Sequence, residues 1–557
     1  MIRRRLLRTS ACVAVGAAAV WMLGGAGRSD FKLGRNASTL IDMYRDISVF
    51  YVDSVDVDKM LHDAADGMTK NLDPYTTFFS EEEARDFQIM TTGKYGGIGS
   101  LIRAKGDHVI IAQPYKGFPA DKAGLQIGDA ILSIDGADAQ GMDVSKVSSL
   151  LKGDPGTTLN LNVKKFYTDE IVPVKIKREK ITISGIPYYG MVSNGVGYIQ
   201  HNDFSEGCSE DLRNAFMEMR KSGTLKGLII DLRNNGGGVL QEAVKIVSFF
   251  TPKGTEVVRT RGRQAQANET FRTQGAPIDL DIPVVVLVSN SSASAAEIVA
   301  GALQDLDRAV VVGQRTFGKG LVQTTRPIGY NAMLKVTTAK YYIPSGRCIQ
   351  AIDYSHRNEN GSVGVVPDSL ISEFKTRNGR KVYDGGGVTP DVASKLEYVS
   401  RFAVILFNRS YIDDFADLYC KAHPRIDNPD SFHLTDSDYA DFVEFMADKD
   451  VDYRSETKSL VEQLKRKAEA ERYLDKIADD IASMERHIRD DKQSSLAQYR
   501  KEIENLIEEQ VVLRGYYAQG VTKRRLLTDT EVAEAVAILG DKARYTGIVT
   551  SQDTARK

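Results

Sequence analysis

Val284-Val285-Val286-Leu287-Val288 runs without a polar break into Ser289-Asn290-Ser291-Ser292, and residues 293–306 then read as a helix. Such a run of β-branched residues and leucine is the pattern of a strand covered on both faces. The unit recurs upstream, where Gly227-Leu228-Ile229-Ile230-Asp231 enters Leu232-Arg233-Asn234-Asn235-Gly236-Gly237-Gly238. A helix follows there, with Leu240, Val244 and Val247 on one side. Residues 195–200 and 209–221 supply a further strand and helix. Residues 309–312 form another strand, followed by the glycine-bounded stretch 313–320 and the strand-like 333–342. Repeated strand–turn–helix units predict an α/β core.

The texture changes before residue 181. Short alternating strands at 109–111 and 131–134 flank Pro119-Ala120-Asp121-Lys122-Ala123-Gly124-Leu125-Gln126-Ile127-Gly128-Asp129, with Gly124, Gly128 and Gly136 punctuating tight turns. This block resembles the PDZ domain. The resemblance implies that Gly96-Gly97-Ile98-Gly99 is a carboxylate-binding loop, whose N–H groups receive a peptide's C-terminal carboxylate. It also implies a groove helix over 143–151, with Val144, Val147 and Leu151 on its apolar face.

Further upstream the pattern is helical from about residue 36 to 87. Leu40, Met43, Ile47 and Tyr51 recur at spacings of three and four, as do Met60, Ala64 and Met68, and Asp73-Pro74 breaks the run. At the start of the chain Arg3, Arg4, Arg5 and Arg8 precede an uncharged, largely apolar run over 10–27. A basic segment followed by an apolar one is a secretory signal peptide or a single membrane anchor. Gly24-Gly25-Ala26 offers small residues for cleavage, and Cys12 lies too early in the run to accept a lipid. The protein is therefore expected outside the cytoplasm: periplasmic, secreted or tethered.

Beyond residue 398 the chain is helical and charged. Leu474, Ile477, Ile481, Met484 and Ile488 form one apolar seam, and Leu496, Tyr499, Ile503 and Leu506 form another after a polar break. These seams are expected to fold back on each other or to pair with a second chain. Thr528-Asp529-Thr530-Glu531 reads as a capping box that opens a last helix with Val532, Val536 and Leu539.

Composition excludes several classes. With 557 residues, the chain has length for three or four domains. Hydrophobic residues at 42% and charged residues at 27% exclude a mainly disordered chain and a polytopic membrane protein. Seventy-three basic against 75 acidic residues give none of the basic excess of a nucleic-acid binder. Four dispersed cysteines and the lack of an HExxH motif give no expected metal site, and no cofactor is expected.

Two segments carry potential chemistry. A serine in Ser292-Ala293-Ser294-Ala295-Ala296-Glu297 sits at a strand-to-helix turn, where unpaired N–H groups and small neighbours suit a nucleophile and its oxyanion. A helix-starting serine is more commonly only an N-cap. Lys319 in Phe317-Gly318-Lys319-Gly320-Leu321-Val322-Gln323 is flanked by glycines that keep its amine near backbone, though a hairpin lysine is ordinarily a surface residue. If the chain is extended here, Lys319 and Gln323 share a face, and Gln323 can hold the amine.

Together these stretches resemble the C-terminal processing peptidases, or tail-specific proteases. The matching blocks are Leu72-Asp73-Pro74, the PDZ block ending at residues 151–157, and residues 231–238. They continue with residues 292–305 and 318–323, Tyr342-Ile343-Pro344-Ser345-Gly346-Arg347 and Gly387-Val388-Thr389-Pro390-Asp391. The resemblance implies Ser294 as nucleophile, Lys319 as general base 25 residues on, and Gln323 as the residue that orients the lysine. It covers roughly residues 35–395, and the region after 398 lies outside it.

The implied mechanism needs a neutral lysine, whose ordinary pKa is about 10.4, so burial must lower it by roughly 3 to 4 units. The oxyanion would be met by Gly237 and Ala295 N–H groups, the choice among Gly236, Gly237 and Gly238 staying open. A Ser-His-Asp hydrolase would need one of the seven histidines, of which His201, after a core strand, is best placed but lacks an evident acid. A catalytically inactive PDZ scaffold that binds C-termini is the alternative outside enzymes.

The expected architecture is multidomain α/β and α+β. It comprises a signal peptide or anchor (1–27), an N-terminal helical region (28–90), a PDZ domain (91–180), an α/β serine-protease core (181–397) and a C-terminal helical region (398–557). Expected partners are protein or peptide substrates with free, apolar, unstructured C-terminal tails. There is room for an adaptor and for a homodimer through the C-terminal helices, and no nucleic acid is expected.

Overall fold

The computed structural model describes residues 28–357, 363–395, 399–453, 455–488 and 492–550. The expected signal peptide or anchor lies outside them. Among the described residues no helix is long and apolar enough to cross a membrane. Two compact units are present, one within Met1–Glu81 and Thr324–Thr337, the other within Glu82–Gln323 and Thr338–Lys557.

The first unit contains the helices Arg28–Phe50 and Val57–Thr69 and a strand, Thr77–Phe79, paired antiparallel with residues 333–335. The expected Asp73-Pro74 turn is organised by one carboxylate. Asp73 Oδ1 accepts from the N–H groups of Tyr75 and Thr76, each at 2.9 Å, and from the Thr337 hydroxyl at 3.1 Å. Of the apolar stripe Leu40, Met43, Ile47 and Tyr51, the first three lie on the first helix and Tyr51 just past its end, and all four stay exposed.

At the centre of the second unit is a six-stranded sheet in the order Tyr188–Ser193, Val196–Gln200, Gly227–Asp231, Val284–Val288, Ala309–Gly313 and Val392–Ala393. The first pair is antiparallel and all later pairs are parallel. Side chains alternate across it. Leu228, Ile230, Val284, Val286, Val288 and Val311 pack against the helices Cys208–Lys221, Leu240–Phe250 and Ala295–Asp305. Ile229, Val285, Leu287, Val310 and Val312 face the other way and meet Val532, Ala535 and Ile538. The far end of the chain thus supplies the second covering layer. Each such buried aliphatic side chain stabilises by about 1.5–3 kcal/mol.

The helix expected to be the last spans Thr530–Gly540, capped by Asp529, which accepts from Val532 N at 2.9 Å, rather than by Thr528; a further helix, Lys542–Thr550, follows it. Glu531 does not fold back onto a cap. Its carboxylate instead bonds Arg233 at 2.8 Å and the Ser394 hydroxyl.

The PDZ sheet carries strands Ser100–Lys105, His108–Pro114, Ala130–Ile134, Thr158–Lys164 and Ile171–Lys177 in that order. Its helix Val144–Leu151 is capped by Asp143, which accepts from Lys146 N at 2.8 Å.

In the C-terminal region the two expected seams do not pack on each other. Helix Leu474–His487 pairs with Glu456–Ala470. Leu496, Ile503 and Ile507 join the aromatic cluster of Phe402, Phe415 and Phe442. Ile481 and Ile503 are both buried within the chain.

An ion-pair network joins the PDZ strand to this helical region. Arg514, with its side chain 2% exposed, bonds Asp413 at 2.7 Å and Asp417 at 2.8 Å. Arg103 also reaches Asp413, and Lys105 reaches Asp414 at 2.8 Å and Asp417. The three carboxylates lie close enough together to hold a cation, but these basic groups already neutralise them. Burial alone would push the Asp413 carboxyl up; Arg514, then Arg103 and Lys105, outweigh it and hold it down to about 2.

A carboxyl held below its unfolded value stabilises fully above pH 4 and loses that contribution as pH falls toward 2. Acidification over this range is expected to remove about 2 kcal/mol at Asp413. Arg514→Leu, which leaves two partly buried carboxylates without their deepest partner, is expected to cost about 3 kcal/mol at neutral pH. Urea unfolding followed by calorimetry and tyrosine near-UV circular dichroism checks both; an Arg514→Leu protein as stable as wild type would count against the network.

Candidate active site

Strand Val284–Val288 delivers the chain to a turn stitched by its own serines. Ser289 N donates to Ser292 Oγ at 2.9 Å, and Ser292 Oγ donates to Leu232 O at 2.7 Å. Ser292 is fully buried by these bonds. Ser294 follows at φ 57°, ψ −114°, a backbone conformation that costs a β-carbon residue of order 1–3 kcal/mol and that clusters at functional sites. It is only half-buried. Ala295 opens the helix, so its N–H has no acceptor one turn back within that helix.

The glycine loop is sewn to this elbow. Asn234 N donates to Ser289 Oγ at 3.0 Å, and Ala293 N donates to Asn235 O at 2.9 Å. A β-carbon on Gly237 would lie 2.7 Å from Ala293 O, 2.8 Å from Ser294 Cβ and 2.9 Å from Ala295 N, so only glycine fits. Gly236 meets nothing within 4 Å, whereas a β-carbon on Gly238 would strike Phe204 O at 2.5 Å. The fold therefore brings Gly237 beside Ser294 and Ala295. The N–H of Gly237 itself donates to Asn235 Oδ1 at 2.8 Å.

The lysine segment is held to the elbow by a buried carboxylate, that of Glu297. Glu297, fully buried, accepts from Ser294 N at 2.9 Å and Lys319 N at 2.9 Å on one oxygen. Its other oxygen accepts from Gly318 N at 2.8 Å and from the Thr316 hydroxyl. Burial pushes its carboxyl up, against these four hydrogen bonds. Four donors on two oxygens are met best by the ionised form. The Tyr341 hydroxyl lies between the carbonyls of Lys319, at 2.7 Å, and Ser294, at 3.1 Å. Serine and lysine backbones are thus bridged twice.

Glycines flank Lys319 for steric reasons. A β-carbon on Gly318 would meet Ala351 Cβ at 2.4 Å, and one on Gly320 would meet Gln350 N at 2.8 Å. Lys319 is half-buried in the loop before strand Leu321–Gly329, and Gln323 is half-buried within that strand. A signal for Glu297 was present, since Ser294-Ala295-Ala296-Glu297 has capping-box spacing. Tyr341 and Asn235 carried none, because their partners lie on other elements.

In the PDZ domain, Gly96 and Gly97 pair with Lys180 and Glu179 at the end of strand Lys94–Gly97. A β-carbon on Gly96 would lie 2.1 Å from Gly153 O, and Gly99, at φ 72°, would press Phe118 at 2.5 Å. Ile98, Val147 and Leu151 belong to one apolar cluster, with Val144 packed at its edge. Ile98 and Val147 are core residues, 3% and 0% exposed, rather than an open pocket wall.

His201 is fully buried, and its Nδ1 lies 3.1 Å from the Asn235 side-chain nitrogen, not from an acid. Burial lowers its pKa to about 4. The arrangement of a Ser-His-Asp triad is not formed there.

The profile of peptidase family S41 matches residues 195–371, that of the PDZ domain residues 110–165, and "Probable PDZ-protease, C-terminal helical domain" residues 402–539. The last match extends the likeness into the region that the sequence resemblance did not reach. A carboxy-terminal-processing protease of Bartonella bacilliformis is 35% identical over 335 residues, 60% of this chain and 74% of that one. A probable CtpA-like serine protease of Staphylococcus aureus is 36% identical over 342 residues, 61% of this chain and 66% of that one. Among solved structures, the photosystem II D1 C-terminal processing protease is 25% identical, with a TM-score of 0.34, covering 64% of this chain and 87% of that one. The chain belongs to peptidase family S41, among the carboxy-terminal-processing proteases that carry a PDZ domain.

Proposed function

We propose that this protein is a serine endopeptidase that cuts unstructured, apolar C-terminal tails of extracytoplasmic proteins, with Ser294 as nucleophile and Lys319 as general base. The observation that carries the reading is the Glu297 carboxylate, which bonds the backbone N–H groups of Ser294 and Lys319 together. Such a buried bracket fixes two chain segments at one point through their backbone N–H groups.

In the reaction, neutral Lys319 takes the Ser294 hydroxyl proton as the oxygen attacks the scissile carbonyl. The lysine passes that proton to the leaving amine as the scissile C–N bond breaks, and water, deprotonated in turn by Lys319, then hydrolyses the acyl-enzyme and frees Ser294. Ala295 N–H, with a donor from the glycine loop 236–238, receives the oxyanion. Gln323 orients the lysine amine. Upstream of chemistry, the loop 96–99 and helix Val144–Leu151 read the free carboxylate and last apolar residue of a tail.

The mechanism sets the following expected outcomes. Ser294→Ala and Lys319→Ala each abolish cleavage of a protein with an apolar, unstructured C-terminus, followed by mass spectrometry, because the pair acts as a unit. Lys319→Arg is also inactive, since guanidinium stays protonated, and the wild-type rate rises toward alkaline pH; full cleavage by Lys319→Arg would sink the mechanism. Amidating a test peptide's C-terminus slows turnover, and equal rates for amide and free acid would remove the PDZ groove as selector. Glu297→Gln turns an amide N–H toward groups that are themselves donors. It is expected to lower kcat roughly 10- to 100-fold, from one unsatisfied buried contact, with an unchanged rate counting against the bracket.

A further inference from the structure

His201 and Asn235 are both fully buried beside the elbow, and the mechanism above uses neither side chain. The orientation of the Asn235 amide follows from two partners that cannot exchange roles. Its nitrogen lies 2.7 Å from the carbonyl oxygen of His201, which only accepts, and its oxygen lies 2.8 Å from Gly237 N–H, which only donates. The second amide hydrogen is then left for His201 Nδ1 at 3.1 Å. That nitrogen must present a lone pair, so the ring is neutral with its proton on Nε2. Nε2 is itself buried and meets no partner among the described residues. An unpaired buried N–H is costly, and an apolar side chain of similar size would avoid it. What the ring supplies in exchange is the Nδ1 lone pair.

Asn235 also acts through its backbone. Its carbonyl accepts from Ala293 N at 2.9 Å, one residue before Ser294. Its side-chain oxygen holds Gly237, whose missing β-carbon leaves room for Ser294 and Ala295. One residue therefore grips both the glycine loop and the elbow, and His201 fixes the rotamer with which it does so.

We propose that His201 and Asn235 are positioning residues of the catalytic centre: the His201 Nδ1 lone pair takes the second hydrogen of the Asn235 amide and, with the two backbone partners, holds it in place, and Asn235 holds loop 236–238 in register with Ser294 and Ala295. The assignment rests on Ser294 being the nucleophile. Neither residue touches substrate or the reacting atoms, so their removal should change the rate of the chemical step and leave tail binding alone.

The test uses the full chain and a free-acid peptide with an apolar tail. His201→Leu keeps the volume and removes the acceptor, whereas His201→Asn restores an acceptor oxygen where Nδ1 stood. His201→Leu is expected to lower kcat at least 10-fold with KM within twofold of wild type, and His201→Asn to recover most of that loss. A His201→Leu enzyme with wild-type kcat overturns the proposal, as does a His201→Asn enzyme as slow as His201→Leu, which would mean packing alone.

Should the variants fold poorly, histidine-labelled wild-type protein provides an independent reading by NMR. One histidine should show the neutral Nε2–H tautomer and persist in it at pH 5.5; an imidazolium or Nδ1–H form at this position overturns the relay. Ser294→Ala run in parallel separates the two ideas. If it cleaves at the wild-type rate, the nucleophile assignment fails. If it is inactive while His201→Leu is unaffected, only the positioning proposal fails.

Discussion

A single ionised carboxylate, fully buried at the start of a helix, sets the geometry on which the candidate active site depends. Glu297 lies three residues after Ser294 on the same helical turn, so local geometry alone lets it reach back to the serine N–H. An ordinary capping box ends there. Here the carboxylate has further lone-pair directions, and the segment 316–319 fills them with a hydroxyl and two N–H groups. Taking a charge out of water is tolerable only when its hydrogen bonds are replaced, which makes the approach of the lysine loop part of the same equilibrium that buries Glu297. The positive φ at Ser294 is held within this arrangement, with the serine N–H tied to Glu297 and its carbonyl beside the Tyr341 hydroxyl.

Around this point the sheet has little freedom. Its central strands are buried on both faces, and the turns at their C-terminal ends carry the Asp231–Gly238 loop and the serine elbow. Hydrogen bonds across these two turns, Asn234 to Ser289, Ser292 to Leu232 and Ala293 to Asn235, make them one rigid piece rather than two loops. Arg233 extends the piece outward. It pairs with Asp231 behind it and with Asp529 and Glu531 at the start of helix Thr530–Gly540, so that helix is fastened to the loop beside the serine. A consequence is that the terminal helices belong to the protease core even though they follow a long separate helical region.

The PDZ domain and the C-terminal helices share a different kind of contact. Phe166, on the turn between two PDZ strands, enters the aromatic cluster of the helical region, and the Asp413–Arg514 network lies beside it. An apolar plug gives non-directional stabilisation, while the charge pairs fix orientation and discriminate against misplacement, because an unpaired buried carboxylate is expensive. The acidic triplet is thus better understood as one half of this junction than as a cation site.

Much of this was legible in order along the chain. Periods of two and of three to four residues located core strands and helices, because burial of one face is a local pattern, and the PDZ block was read from its resemblance to that domain. Glycines at 237, 318 and 320 sit where a β-carbon would clash, whereas Ser294 and Lys319 were singled out by the family resemblance, each segment alone reading more commonly as a helix cap and a surface lysine. Pairings between distant segments were not legible. Nothing local distinguishes a Glu297 that only caps a helix from one that also captures the lysine loop, or a His201 that waits for an acid from one that steadies an amide. The two C-terminal seams were visible, yet their partners were not, since an apolar stripe does not specify what covers it, and the stripe of Leu40, Met43 and Ile47 stays exposed. Sequence by itself determined which faces are apolar and where the backbone must turn; the tertiary structure alone decided which faces are covered and which buried polar groups meet, because those contacts form between segments whose separation along the chain leaves no periodic trace.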